Sequence, residues 1–284
     1  MTKTLRELAF SEIRDLVHGH VSIFAPEDTA SRALGELKET GRYEALVASQ
    51  GKVGLITIRD LLGVDQPAQT KVVGVWRIVG SVSPSDRIID ACDAMVRNNI
   101  RALPVVEGGE AVGCISQVDV TCSLCDVPEL SGVPAKELMR MPVVSLDARE
   151  KVALARRLML ERGFSHIPVV EYNQMVGMIT AETIVHAFIT PISKTTKGER
   201  VGERVARFPG SVGGIMDLNP FTVGPDASAL DVVCGLRDRE KSACVVVDQR
   251  GGDPRDPDAE GADDADPEVQ GGGGAPRLPS GAVG

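Results

Sequence analysis

The amino-acid sequence predicts a mixed α/β protein of the α+β type, made of four β-α-β-β-α units that pair into two modules, with the fourth unit incomplete. Three observations support this prediction. Related segments return at a spacing of about 60 residues, each segment alternates strand-like and helix-like apolar periods, and an apolar strand motif recurs in every unit. The chain of 284 residues is long enough for two cores of medium size.

Each unit opens with a β-rich segment that ends near Pro or Asp, and an amphipathic helix follows. An apolar strand comes next, reading EALVAS, RALPVVE, SHIPVVE and SACVVVD in the four units. In the first three units a turn leads to a second strand (GLIT, GCIS, GMIT) and a short helix. Because a single unit would leave one face of its sheet uncovered, we expect the first unit to pair with the second and the third with the fourth.

These patterns set the predicted boundaries: a leading helix (1–15), three complete units (16–70, 71–127, 134–190), a partial fourth unit (212–248) and a tail (249–284). Residues 190–212 are expected to connect the third and fourth units. The tail is rich in Gly, Pro and Asp, a composition typical of disorder. Two explanations for it stay open. It is a genuine acidic tail, or it is a frameshift product, because reading 255–262 one base later permits G-I-L-T-L-R-E-L.

The motif that closes the second strand places a hydroxyl three residues before an aspartate. In the first unit these are Thr57 and Asp60, and in the second they are Ser116 and Asp119. The spacing is that of a capping box at a helix start. The same groups also suit a nucleotide, since the hydroxyl can donate to a phosphate and the carboxylate can accept from ribose hydroxyls. The two interpretations are compatible.

The third unit departs from this motif. It keeps the hydroxyl at Thr180, but Thr183 replaces the aspartate, while Glu182 is one residue early. We therefore expect the third site to be weak or empty, because ribose recognition there loses its charged acceptor.

Together, ALPVV at 102–106 and the repeated G-x-h-[ST]-x-x-D motif resemble cystathionine-β-synthase (CBS) domains arranged as two tandem pairs, over roughly residues 16–248. The resemblance implies adenosine-containing ligands in clefts between paired units, with phosphate at the motif hydroxyls and ribose at the aspartates. It places adenine between apolar backbone segments, which by position are near Ile23, Ala25, Val82, Ala102 and Leu103. It also implies a homodimer formed through the helices.

Two arginines of the second unit, Arg97 and Arg101, could contact phosphates, and a salt-bridged or solvated arginine is an equal alternative for each. In the third unit, His166 is placed where the second unit has Arg101, and is interpreted as a packed or capping histidine.

The six cysteines are expected to be reduced, buried or half-buried thiols. Cys122 and Cys125 form one C-x-x-C, but no second pair or nearby histidine completes a zinc site. His18 and His20 alone are a weak metal site. The sequence therefore predicts no metal.

Taken together, the sequence predicts a non-enzymatic regulatory module that binds AMP, ADP or ATP. Alternatives are an S-adenosylmethionine sensor, or a ligand-free regulatory or scaffold subunit acting by protein–protein interaction. No nucleophile–base–orienter set is present, so neither catalysis nor a catalytic cofactor is expected. Only 3% of residues are aromatic, and outside the tail 28 basic residues face 32 acidic ones, which argues against nucleic-acid binding.

No apolar run approaches the ~20 residues of a membrane span, so we expect no membrane association. A cytoplasmic location, a homodimer and an unidentified regulated protein complete the expectations.

Overall fold

The computed structural model describes residues 2–17, 21–172, 174–189 and 210–248, all of which belong to one compact unit of the chain. The predicted tail 249–284 with its frameshift alternative, most of the predicted connection 190–212, and His18 and His20 lie outside the described residues.

The described residues contain nine α-helices: α1 (Leu5–Ala9), α2 (Ala30–Thr40), α3 (Ile58–Leu62), α4 (Ile88–Arg97), α5 (Gln117–Ser123), α6 (Ala135–Leu138), α7 (Val152–Arg162), α8 (Ala181–Ile189) and α9 (Ala229–Asp238). They also contain eleven β-strands: β1 (Ile23–Phe24), β2 (Glu44–Ser49), β3 (Lys52–Thr57), β4 (Arg77–Ile78), β5 (Ala102–Glu107), β6 (Glu110–Ser116), β7 (Leu146–Asp147), β8 (His166–Glu171), β9 (Gln174–Thr180), β10 (Thr222–Val223) and β11 (Val245–Val246).

Each of the first three units is built around an antiparallel hairpin, formed by β2–β3, β5–β6 and β8–β9. A short strand or bridge from the start of the unit pairs in parallel with the first hairpin strand. In the fourth unit β10 and β11 make the same parallel pair, and no hairpin partner for β11 lies among the described residues. The predicted fold class is confirmed.

The glycine of the hairpin motif is required by a close crossing of the chain. The connection out of the first unit runs antiparallel along β3 as β4, and a Cβ at Gly54 would lie 2.3 Å from the carbonyl oxygen of Arg77. In the third unit, a Cβ at Gly177 would lie 2.8 Å from the carbonyl oxygen of Asp217. Any side chain at either glycine would push this connection away from the hairpin.

The sheets of the first and second units pack against each other. Leu46 and Leu55 from the first unit form one buried cluster with Ala102 and Cys114 from the second. Burial of these apolar faces joins the two units into one module.

Helices pack across the two modules within this single chain. Leu61 of α3 and Ile184 of α8 are fully buried in one core shared by the first and third units. Arg156 of α7 adds a 2.8 Å hydrogen bond from its Nε to the carbonyl oxygen of Leu62. In the same way α9 of the fourth unit packs against α5 of the second. The resemblance implied a homodimer formed through the helices. Because these helices already pack against each other within one chain, a homodimer would have to use another surface, and it stays a prediction.

The leading segment, predicted as one helix over 1–15, is helical only at α1 and as a 3-10 turn at Ile13–Asp15. The backbone between them pairs with the second unit instead: Ile13 N–H donates to the carbonyl oxygen of Asp86 at 2.8 Å, and Ile88 N–H donates to that of Ser11 at 3.0 Å. Ile13 is fully buried there. Tertiary pairing and burial override the helical pattern.

Candidate functional site

Both predicted capping boxes are present. In the first unit the N–H of Asp60 donates to Thr57 Oγ1 at 3.2 Å, and the N–H of Thr57 donates to Asp60 Oδ2 at 2.9 Å. In the second unit the corresponding distances between Ser116 and Asp119 are 3.3 Å and 2.8 Å. Each hydroxyl also donates to the same carboxylate oxygen, at 2.6 Å and 2.7 Å. The capping interpretation is confirmed.

The aspartate of the first unit is held by a cation. Asp60 Oδ1 lies 3.1 Å from Arg77 Nε, and Asp60 Oδ2 accepts from Arg77 Nη2 at 3.4 Å. Only 14% of the Asp60 side chain is exposed. With Thr57 and Arg77 on its two oxygens, this carboxylate could bind ribose hydroxyls only by displacing the arginine.

The second motif opens into a pocket of about 460 Å³, here called the central pocket. It brings together three predicted site residues, Ser116, Asp119 and Arg101. The pocket draws residues from all four units, and its other charged lining side chains are Arg42, Glu44, Glu182, Arg237, Glu240 and Lys241.

The residues just before the hairpins meet beside this pocket. Tyr43 Oη and Ser165 Oγ are 2.9 Å apart, linking the first and third units. The guanidinium of Arg101 lies over the Tyr43 ring, 4.9 Å from its centroid. His166 Nε2 and Ser242 Oγ are 2.8 Å apart, linking the third and fourth units. The four strand starts therefore converge at the centre of the molecule.

The predicted equivalence of His166 and Arg101 is wrong by one residue. In the hairpin registers His166 pairs with Thr180 as Ala102 pairs with Ser116, so His166 corresponds to Ala102. Burial, with a smaller contribution from the nearby Arg101 charge, lowers the pKa of His166 to about 4. The histidine is therefore neutral at physiological pH and packs against Ser242, which agrees with its interpretation as a packed residue.

Glu44 is a functional candidate that the sequence reasoning missed. Burial raises the pKa of Glu44 to about 7, and the Asp119 carboxylate contributes in the same direction. The nearby positive charges of Arg101 and Arg42 partly offset this. The counterpart of Glu44 in the second unit is Ala102. An acidic residue at a position that is apolar in another unit was the feature of the sequence that could have identified Glu44. That Glu44 faces the helix start of a different unit follows only from the tertiary structure.

The third-unit motif lies in an adjoining pocket of about 230 Å³, which shares Glu182, Glu240, Lys241 and Ser242 with the central pocket. Thr180 still caps α8, because its Oγ1 accepts from the N–H of Thr183 at 3.0 Å. A carboxylate does enter this pocket, from Asp217 in the segment that leads to the fourth unit. It accepts from Lys241 Nζ at 2.6 Å. The sequence reasoning did not find Asp217, which lies outside the repeated motif.

The remaining predicted contacts lie elsewhere. None of the five apolar positions lines the described part of the central pocket: Ile23, Ala25, Val82, Ala102 and Leu103. The first two are exposed, the third is half-buried, and the last two are buried in the packing between and below the sheets. Arg97 pairs with Asp93 on the exposed face of α4 at 2.9 Å, which is the salt-bridge alternative.

No group of three or more His, Cys, Asp or Glu side chains in the described residues is placed to hold a metal ion. Among the same residues, no helix combines the length and apolar character needed to cross a membrane.

Comparison with known proteins identifies the family. The family model described as "CBS domain" matches residues 71–124 and 135–190, which are the second and third units. The second and third units of this chain are CBS domains. The first unit shares their hairpin-based fold, and the described part of the fourth unit shares their opening parallel strand pair and helix.

Two similar proteins come from one archaeon. The uncharacterized protein MJ1404 of Methanocaldococcus jannaschii is 28% identical over 233 residues, covering 80% of this chain and 55% of that protein. The uncharacterized protein MJ1225 of the same organism is 28% identical over 152 residues, covering 48% of this chain and 54% of that protein. The chain thus spans about half the length of these two relatives.

Solved structures share the fold. The crystal structure of MJ1225, described as a proposed archaeal homologue of g-AMPK, superposes with a TM-score of 0.71 at 17% identity, covering 85% of this chain and 94% of that one. An uncharacterized conserved protein from Pyrococcus horikoshii gives a TM-score of 0.58 at 14% identity, covering 85% and 93%. At these identities the likeness concerns the fold.

Proposed function

We propose that this CBS-domain protein is a non-enzymatic regulatory module that binds an adenosine-containing nucleotide, AMP, ADP or ATP, in the central pocket. One observation carries the proposal. The Ser116–Asp119 motif opens into a pocket of about 460 Å³ with several cationic side chains in its lining. That volume is within the range of about 300–1,000 Å³ typical of small-molecule sites.

The chemistry of the lining suits the parts of a nucleotide. Arg42, Arg101 and Arg237 provide guanidinium groups, which bind phosphate through paired N–H donors. The Asp119 carboxylate is the proposed acceptor for the ribose hydroxyls. Adenine would occupy the remaining volume, and not the apolar backbone segments named by the resemblance, since those do not line this pocket.

A phosphate in the central pocket would also affect Glu44. A second negative charge near this carboxyl favours its protonated form, so nucleotide binding should be accompanied by proton uptake. Because the pKa of Glu44 is already about 7, nucleotide affinity should fall as the pH rises through neutrality.

The Thr57–Asp60 motif is a second candidate position, outside the described lining of the central pocket and with Arg77 paired to its carboxylate. The Thr180 pocket is the least favoured for a whole nucleotide, since its volume is only about 230 Å³.

Regulation would follow from the composition of the central pocket. Residues of all four units line it, so a ligand that fits one packing of the modules better than another would shift the population between them. A partner protein, or a second copy of the chain, would respond to that shift.

Calorimetric titration with AMP, ADP, ATP and S-adenosylmethionine tests the proposal. Asp119→Asn should weaken binding by roughly ten- to hundredfold, because a charged acceptor for two hydroxyls is lost. Glu110→Gln, on an exposed end of the β5–β6 hairpin and outside the lining of the central pocket, is the control and should bind as the wild type does. Undiminished binding by Asp119→Asn would show that the site is misplaced. If no ligand binds or raises the thermal midpoint, the ligand-free scaffold alternative is correct.

A further inference from the structure

The C-x-x-C pair of the second unit, Cys122 and Cys125, lies beside a third cysteine from the fourth unit, Cys234. Cys122 is in α5, Cys125 is in the 3-10 turn that follows it (Leu124–Asp126), and Cys234 is in α9. The Cys234 Sγ lies 3.9 Å from the carbonyl oxygen of Cys125, 109 positions away in sequence. The Cys234 side chain is also near enough to Cys125 to contribute to the pKa of the Cys125 thiol. All three cysteines are free and half-buried.

The surroundings keep the thiols of Cys122 and Cys125 protonated near neutral pH. Burial, together with the neighbouring Cys234, raises the pKa of Cys125 to about 12. Burial and then the Asp119 charge raise the pKa of Cys122. Arg237, one turn beyond Cys234 on α9, acts on both in the opposite direction. Reaction of these thiols should therefore be slow at neutral pH and faster in alkali, where more thiolate is present.

We propose that Cys125 and Cys234 form a reversible disulfide on exposure to hydrogen peroxide, covalently joining the second unit to the fourth. The reaction is balanced with one peroxide. One thiol loses its proton and the resulting thiolate attacks a peroxide oxygen. An S–O bond forms, the O–O bond breaks, and the departing hydroxide takes up the released proton as a first water, leaving a sulfenic acid. The second thiol then attacks the sulfenic sulfur. The S–S bond forms, the S–O bond breaks, and the departing hydroxide leaves as a second water with the proton of the second thiol.

The competing pair, Cys122 with Cys125, is less suited to a bridge. These two residues are three positions apart on a continuous helical turn, where Cβ atoms are about 5–6 Å apart. A disulfide requires about 3.5–4.5 Å between its Cβ atoms, so this bridge would have to deform the turn. Cys234 approaches from a separate helix that packs directly on this turn, and its Sγ lies 3.9 Å from the carbonyl oxygen of Cys125.

The bridge would act on two walls of the central pocket. Cys122 in α5 and Arg237 near the end of α9 both line that pocket. A covalent link between these elements would restrict their relative movement. The proposal does not depend on nucleotide binding, since it rests on the approach of Cys234 in α9 to Cys125.

The test is oxidation of the full chain with hydrogen peroxide, followed by intact mass measurement and non-reducing peptide mapping. We expect the loss of two hydrogens per chain, a linked peptide containing Cys125 and Cys234, and reversal by dithiothreitol. The reaction should be several-fold faster at about pH 9 than at about pH 7. Cleavage after Leu124 separates Cys122 from Cys125, so the map identifies the partner of Cys234.

Serine variants complete the test and preserve side-chain size. Cys125→Ser and Cys234→Ser should each abolish the link, whereas Cys122→Ser and Cys244→Ser should retain it. A link through Cys122, a bridge between two chains, or a pair that stays reduced while other thiols oxidise would each overturn the proposal. Thermal unfolding of each reduced variant verifies that it is folded.

Discussion

Replacing Glu44 with glutamine should stabilise the protein at alkaline pH. In the unfolded chain this carboxyl has its ordinary pKa near 4.5, whereas in the folded protein burial and Asp119 raise it to about 7. Between these values the folded state binds more protons than the unfolded state, so this group makes stability fall as the pH rises. Below about pH 4.5 the penalty is absent, and above about pH 7 it is complete.

The size of the effect follows from the two pKa values. The difference between 4.5 and about 7 corresponds to roughly 3 kcal/mol of destabilisation by the ionised carboxylate. Glutamine has nearly the same shape and carries no charge, so Glu44→Gln should gain roughly 1–3 kcal/mol over the wild type at about pH 8 and little at about pH 4.

Urea unfolding of both proteins at a series of pH values measures this difference directly. Glu110→Gln, on an exposed end of the β5–β6 hairpin, is the matched control and should leave the pH profile unchanged. If Glu44→Gln were as stable as the wild type at every pH, or less stable at about pH 8, the assigned burial of the Glu44 charge would be refuted.

Three further predictions concern the motif and its ligand. Gly54→Ala should lower the free energy of unfolding by about 2 kcal/mol or more, because the new Cβ would clash with the Arg77 carbonyl. Its control, Gly35→Ala in the exposed middle of α2, should raise the free energy of unfolding by roughly 0.5–1 kcal/mol, and equal urea midpoints for the two variants would contradict this. Thr57→Ala should lower the free energy of unfolding by about 1 kcal/mol, because the N-cap hydrogen bond of α3 is lost. Thr57→Ser keeps the hydroxyl and should be close to the wild type in stability, so equal losses in the two variants would argue against the cap. AMP affinity measured by calorimetry should fall as the pH rises through neutrality, and this dependence should be absent in Glu44→Gln; an unchanged profile would exclude Glu44 as its source.

Local sequence determined much of what could be predicted. The repeat identified the units, and the Thr57–Asp60 and Ser116–Asp119 spacings identified both capping boxes, since a cap depends on residues three positions apart. The hairpins followed for the same reason, because their strands are separated by only a short turn. Contacts between residues that are a few positions apart in sequence can therefore be predicted from one repeated motif.

Contacts between units could not be predicted in this way. Asp60 and Asp119 occupy equivalent motif positions, yet one pairs with Arg77 and the other lines the central pocket. That difference depends on which neighbouring segment crosses each hairpin. Likewise, the approach of Glu44 to Ser116 and of Cys234 to Cys125 depends on how the units pack, which no spacing within one unit encodes.

The most direct test of the central claim is a crystal structure of the chain grown with AMP. The account predicts density for one nucleotide in the central pocket, with its ribose hydroxyls on Asp119 and its phosphate among the arginines. A nucleotide bound only elsewhere, or a central pocket with no ligand at saturating AMP, would contradict it.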